Sequence, residues 1–322
     1  MSVLITGASG FLGRAVAAEL VAAGHRVRTL QRRASRVDGV EDVLGSITDA
    51  GLLARALEGA DAVIHLAAKV SLAGDPSEFQ AVNVEGTRVL LDAAEEAGVR
   101  RFVHVSSPSV AHAGAALVGV GAEPASPEHA RGEYARTKAE AELLALARDS
   151  ARMPVVAVRP HLVWGPGDTQ LVARIVERAR AGRLPLLNHG TALIDSTYID
   201  NAASGIVAAL DHADTAHGAA YVLTNGEPRP VGELLAGICL AAGVRPPGWS
   251  VPAWLGRAAG SIVEGAWRLR PGRDEPPMTR FLAEQLSTAH WFDQRETRRA
   301  LSWSPSVSLD EGLARLAASY TR

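Results

Sequence analysis

Two side chains four residues apart, Tyr134 and Lys138, carry the clearest chemistry in the chain. On a helix that spacing puts both on one face. A lysine ammonium beside a phenol favours the phenolate, so the tyrosine can exchange a proton near neutral pH. A hydroxyl from a neighbouring strand end, Ser106 or Ser107, can hydrogen-bond an oxygen that gains charge during hydride transfer. Taken alone, a Tyr-x-x-x-Lys pair is common on surface helices. Its weight comes from what precedes it, the run Thr6-Gly7-Ala8-Ser9-Gly10-Phe11-Leu12-Gly13.

In that run Gly7 permits a tight turn, Gly10 lets the backbone approach a pyrophosphate, and Gly13 lets the next helix pack on the preceding strand. The free N–H groups of Ser9 to Gly13 at the helix start, with the helix dipole, then hold the phosphates. Val3-Leu4-Ile5 reads as the buried strand and Arg14 to Ala23 as the helix that this motif requires. A second strand, His25 to Leu30, ends in Gln31-Arg32-Arg33 where NAD-binding folds place an acid on the adenosine ribose. An acid repels a 2′-phosphate, whereas a guanidinium clamps it with two parallel hydrogen bonds. The expected cofactor is therefore NADP(H), with Arg32 as the clamp and Arg33 as the second candidate.

The remaining elements must bring these motifs together. Val40 to Leu44 is a third strand, and Gly45-Ser46-Ile47-Thr48-Asp49 follows where an adenine-contacting loop would lie. Ala62 to Ala68 is a fourth, with Ala67 and Ala68 small enough for the backbone to pass under the cofactor. His65 within it reads as a core histidine. Lys69 stands at the strand's carboxyl end, where open sheets bind ligands, and is either solvated or set to meet an acidic substrate. A helix from Asn83 to Ala97, a strand from Arg101 to Val105, a helix from Tyr134 to about Arg148 and a strand from Val155 to Val158 follow. Between Ala111 and His129 the Gly-, Ala- and Pro-rich text reads as a loop over the site. Strands and helices alternate, which means an α/β fold with a doubly wound parallel sheet.

Beyond Trp164 the rhythm changes. Leu193 to Ile199 reads as a strand, 201–210 as a helix and Ala219 to Leu223 as the last strand of the sheet. Helices dominate from Glu227 onward. The division expected is a dinucleotide-binding domain over 1–164, rejoined by about 190–226. A smaller, mostly helical substrate lobe is built from 165–189 and 227–322.

Composition narrows the function classes. Of 322 residues, 47% are hydrophobic and 21% charged, an ordinary globular balance that can bury a large core. Net charge is near −2 with no basic run, which gives a nucleic-acid partner no electrostatic support. The single cysteine, Cys239, excludes an internal disulfide and any multi-thiolate metal site, and no metal is expected. No apolar run approaches the roughly eighteen residues of a membrane span, so a cytoplasmic enzyme is expected.

TGASGFLG, DAVIHLAA, NVEGTRVLLDAA, VHVSSPSV, YARTK and RPHLVWGPGD resemble the extended short-chain dehydrogenases/reductases over nearly the whole chain. PPMTRFLAEQLSTAHWFD and VSLDEGL resemble the 3β-hydroxysteroid dehydrogenase branch. Within it, SSPSV, ARAGRL, STYIDNAA, SVPAW and PPMTRF resemble the 2-alkyl-3-oxoalkanoate reductases of bacterial long-chain olefin biosynthesis. The resemblance implies a Rossmann fold and NADPH-dependent reduction of a β-keto acid. It makes Tyr134 the proton donor, Lys138 the nicotinamide-ribose ligand and Ser107 the holder of the substrate oxygen. Asn83 would order the site, and Pro160 and His161 would lie beside the carboxamide. His161 could additionally bond a substrate carboxylate. One departure is Ser46, where the family has an acid, which leaves the adenine contact open.

The resemblance also implies a homodimer through the helices at Val84–Ala97 and Tyr134–Arg148, with olefin-pathway enzymes as further partners. A stripe holding Trp254, Leu255, Ile262, Val263 and Trp267, with Arg257, Arg268 and Arg270 nearby, has three readings. It is core, a lining for an alkyl chain, or a helix lying on a membrane surface. A sterol dehydrogenase and a nucleotide-sugar epimerase or dehydratase are the rival functions.

Overall fold

The computed structural model describes residues 1–71, 74–112, 114–268 and 280–321. Seven parallel strands form one sheet: β1 Ser2–Thr6, β2 Arg26–Gln31, β3 Val40–Leu44, β4 Ala62–His65, β5 Arg101–Val105, β6 Val155–Pro160 and β7 Ala219–Leu223. Their spatial order is β7-β6-β5-β4-β1-β2-β3, so the order reverses beside β1, where a dinucleotide crevice opens. The central strands are buried from end to end, as a sheet covered on both faces requires. Alternation sorts their side chains. Val3 and Ile5 pack with Val16, Leu20 and Ile206 on one face. Leu4 packs with Leu53, Leu90 and Phe102 on the other.

A separate hydrophobic core has Trp164, Ile175, Leu235, Ile238 and Leu316 among its members, with Cys239 buried in it as a small apolar side chain. A smaller four-stranded sheet, which the sequence pattern did not suggest, joins stretches from both expected domains. Its order is Arg229–Pro230, Leu193–Ile194, His290–Phe292, Leu117–Val120.

That sheet corrects two expectations. The stretch 111–129 is not all loop, because Leu117–Val120 pairs in parallel with His290–Phe292. Nor is Leu193–Ile199 one strand. Leu193–Ile194 joins the small sheet, and Thr197–Tyr198 pairs with Val163–Trp164. Between them Asp195 turns its carboxylate onto the Thr224 hydroxyl and the Gly226 and Glu227 amides, which breaks the run.

Two boundaries also move. β4 stops at His65 rather than at Ala68, since the Ala67 amide donates to the Thr6 hydroxyl instead of continuing the ladder. The helix expected from Asn83 begins earlier, at Pro76 behind an Asp75 cap. It runs through a π-helical turn over Gln80–Glu85 before the regular Gly86–Glu96 segment. The proline-rich stretch 271–279, Arg270 and the side chains of Ala266, Trp267 and Arg268 lie outside the described residues.

Candidate active site

The nucleotide cradle is built by close backbone approach. Gly7 has φ +82°, and a Cβ there would lie 2.8 Å from the Ala67 nitrogen. A Cβ at Gly13 would lie 2.3 Å from the Gly7 carbonyl oxygen, so only glycine lets the Phe11–Ala22 helix sit this close to β1. Gly10 is exposed and caps that helix without any side-chain hydrogen bond to its first-turn amides. Those amides are the donors a pyrophosphate takes, and the residues present fit a dinucleotide.

At the end of β2, Gln31 turns inward and donates to Asp42 and the Thr29 hydroxyl. Asp42 also accepts the Ser35 amide at 3.0 Å. This pins the turn that carries Arg32 and Arg33, both exposed and neither paired with a carboxylate among the described residues. In the loop after β3, Ile47 is buried against Gly86, while Ser46 is exposed and hydrogen-bonded to the Thr48 hydroxyl.

The Glu133–Leu146 helix starts behind Gly132, whose φ of +88° turns the chain into it. Lys138 is buried, and its ammonium donates to the Val105 carbonyl at 2.6 Å, with His104 Nε2 at 3.4 Å. Burial lowers its pKa to about 8, with Glu142 pulling the other way. Tyr134 keeps part of its surface open. Packing around its ring pushes the phenol above its usual value, and a hydrogen bond with Ser107 pulls it back. The ammonium is thus directed at the β5 carbonyl, and the principal influences on the phenol are burial and Ser107.

Of the two serines that spacing left open, Ser107 reaches Tyr134, while the Ser106 hydroxyl is buried without a partner. Ser107 caps the short turn Pro108–Ala111. Its oxygen accepts the Ser109 hydroxyl at 3.0 Å and the Ser109 amide at 3.3 Å. With both acceptor directions filled, the single O–H of Ser107 points at the phenol oxygen.

Behind these groups lies a polar bracket that no spacing rule finds. Asn83 sits in the π-helical turn, a local geometry frequent at functional sites. Its Oδ1 accepts the Lys69 amide at 2.7 Å, and its Nδ2 donates to Thr137 Oγ1 at 3.0 Å. This ties the end of β4 to the tyrosine helix. His65 donates through Nε2 to Thr87, whose hydroxyl donates to the Asn83 carbonyl, and its Nδ1 accepts from Thr6. Burial and the Lys138 charge lower its pKa to about 3, so it is a neutral core histidine.

Below Lys138, Glu142 accepts two hydrogen bonds from the buried Arg159, at 2.5 and 2.8 Å. Arg159 also donates to the Glu123 carbonyl, so the guanidinium fastens helix, sheet and the preceding loop in one grip. Sequence reasoning missed Arg159, Glu142 and Ser109, although Arg159 immediately precedes Pro160 in a quoted motif.

Two further candidates sit differently from their expected use. Lys69 pairs with Glu78 and lies 5.1 Å from the Phe79 ring centre, so its charge is already met. His161 donates through Nδ1 to the Asp195 carbonyl at 2.6 Å, and burial lowers its pKa to about 4. The neutral ring keeps only an acceptor at Nε2 and has no proton to offer a carboxylate. Its edge meets Phe292, and it neighbours His290, both on the strand that closes the small sheet. Pro160, just before it, ends β6.

Residues 3–224 match the model of the NAD dependent epimerase/dehydratase family. The chain belongs to that family. These extended short-chain dehydrogenases/reductases are nicotinamide-dependent oxidoreductases, and so is this chain. It is 41% identical over 327 residues to a 2-alkyl-3-oxoalkanoate reductase of Stenotrophomonas maltophilia, covering 99% of each chain. It is 32% identical to a 3 beta-hydroxysteroid dehydrogenase/Delta 5→4-isomerase of Mycobacterium tuberculosis, over 97% of this chain and 88% of the relative. Among solved structures, a dTDP-glucose 4,6-dehydratase of Streptomyces venezuelae with NAD bound aligns at a TM-score of 0.76 and 26% identity, covering 100% of this chain and 97% of that one. No helix among the described residues is long and apolar enough to cross a membrane.

Proposed function

We propose that the chain reduces the ketone of a long-chain 2-alkyl-3-oxoalkanoic acid to the corresponding 2-alkyl-3-hydroxyalkanoic acid with NADPH. The observation that carries the substrate class is the end-to-end likeness to the Stenotrophomonas reductase. When bound, NADPH would supply the hydride that the ketone carbon takes up. Ser107, its proton oriented by Ser109, and Tyr134 hold the ketone oxygen, and Tyr134 gives up its proton to it as charge develops. A phenol held above its usual pKa stays protonated through the neutral range, which suits a donor in reduction. Lys138, whose ammonium donates to the Val105 carbonyl, would bind the nicotinamide ribose. Asn83 positions both flanks, and Arg32 with Arg33 clamps the 2′-phosphate. Ser46 and Ile47 border the adenine, Ala67 and Ala68 the cofactor's underside, and Pro160 the carboxamide.

A dimer through the helices Gly86–Glu96 and Glu133–Leu146 belongs to the same reading. They lie side by side, braced by Arg148 against Asp92 and Glu95, with Leu143 exposed. So does the division into a cofactor domain over 1–164 with 190–226 and a substrate lobe over the rest.

The test follows loss of reduced-nicotinamide absorbance with NADPH or NADH and a long-chain 2-alkyl-3-keto acid, or the reverse reaction from the more durable hydroxy acid. Turnover that prefers NADPH is expected. Turnover of sterols alone moves the substrate to that of the 32% identical relatives. NAD purified tightly bound, with no turnover of either class, moves the chain to the epimerase and dehydratase members.

A further inference from the structure

The Ala253–Arg268 helix is turned inside out. Its buried stripe is Ala253, Gly256 and Gly260, and a Cβ on Gly256 would come within 2.8 Å of Leu187. Its outer face carries Trp254 at 63% exposure, Leu255 at 43% and Ile262 at 73%, with Ala258 and Ala259 between them. The one hydroxyl on that face, Ser261, donates back to the Arg257 carbonyl. A surface helix ordinarily shows its charges outward and its large apolar groups inward. Core packing, one of the readings open for this stripe, is therefore excluded for Trp254, Leu255 and Ile262.

A second tryptophan is exposed just before the helix in the chain. Trp249, 50% exposed, accepts the Leu186 amide just before Ser250–Val251 pairs with Leu186–Leu187. Within the two stretches that meet here, 178–187 and 234–263, every charged residue is an arginine, with Glu177, Glu233 and Glu264 standing just outside them, in a chain whose net charge is near −2. Arg180, Arg183 and Arg245 are exposed and Arg257 half-exposed, and none is paired with a carboxylate among the described residues.

We propose that this face docks on an anionic phospholipid bilayer. Tryptophan and aliphatic side chains on a helix face, rimmed by arginines, match the boundary between headgroups and acyl chains. A second copy of the chain is the poorer occupant. A two-fold contact would lay the patch on itself and set arginine against arginine.

The experiment is co-sedimentation of the full chain with vesicles of phosphatidylcholine alone or mixed with phosphatidylglycerol, at low and physiological salt. Binding to the mixed vesicles is expected to exceed binding to the neutral ones by roughly ten-fold or more. Trp254→Ser with Ile262→Ser should abolish most of it while leaving the melting temperature and turnover of a soluble ketone unchanged. Arg183→Ser with Arg257→Ser should remove the salt dependence. Binding to neither vesicle, or equal binding by the Trp254/Ile262 variant, overturns the proposal. Self-association that disappears in that variant would overturn it in favour of a second copy. Capture by immobilised polyglutamate without vesicle binding would overturn it in favour of an acidic protein.

Discussion

The tyrosine site and the outer face of the Ala253–Arg268 helix present their side chains in opposite ways. Around Tyr134, buried side chains are tied to one another: Asn83 to Thr137 and Lys69, His65 to Thr6 and Thr87, Arg159 to Glu142. Elsewhere, short strands from four separate stretches meet edge to edge, and a helix shows Trp254, Leu255 and Ile262 to solvent. The proposed proton donor is held by redundant bonds, as a group that must be placed within tenths of an ångström would need, and the face proposed to meet a bilayer is not. Networks of this kind are costly when broken on one side only.

The sharpest way to break the contrast is to remove the proposed proton donor without touching the bracket. Tyr134→Phe should lower kcat by roughly 10²- to 10⁴-fold with an unchanged melting curve. An accompanying loss of fold would mean that the phenol is structural. Arg159→Leu should do the reverse of that separation. It leaves Glu142 charged and unpaired in the interior, and thermal denaturation should report a loss of about 3–5 kcal/mol. Changing both partners to apolar residues should recover much of it.

Smaller effects sharpen the picture. Arg32→Ala should raise KM for NADPH by roughly ten- to a hundred-fold, the value of a charge-assisted hydrogen bond, and leave KM for NADH nearly untouched. Equal effects on both cofactors would remove Arg32 from the clamp. Ser109→Ala loses one neutral hydrogen bond, so kcat should fall by about five- to ten-fold with cofactor KM unchanged. As Ser107 loses its orientation, the Tyr134 limb of the pH–rate profile should move to higher pH, and Ser109→Thr should restore both.

The smallest effect near neutrality concerns acid stability. His161 titrates at about 4 when folded, against 6.5 in an unfolded chain, so below pH 6.5 the unfolded state binds more protons. Stability is then lost as pH falls through that window. His161 alone contributes about 1 kcal/mol at pH 6, growing to roughly 3 near pH 4. A melting temperature that does not fall between pH 7 and 5, or falls equally in His161→Gln, would exclude it.

The parts legible in the sequence are those where a local pattern has a local cause. The glycine turn was readable because Gly7 and Gly13 answer steric demands within their own strand–helix unit. The Tyr134–Lys138 pair was readable because four residues make one helical turn. Arg159 and Ser109 were not, since their importance depends on groups that only the folded sheet brings near them. The strand at Leu117–Val120 was hidden for the same reason. Its composition is that of a loop, and its partner is supplied by a distant stretch of chain.

That pairing orders events during synthesis. Leu117 aligns with His290, a separation of 290 − 117 = 173 residues, so the small sheet has no closing strand until most of the chain has left the ribosome. Six of the seven strands of the main sheet are complete by Pro160. The nucleotide cradle can therefore assemble on the emerging chain while Leu117–Val120 waits as an unfilled edge. Closing so long a loop adds little entropy beyond a shorter one but delays the contact. The interval in which the lobe is open is thus set by translation rate, and slow codons between 160 and 290 would lengthen the time this edge is exposed to foreign strands.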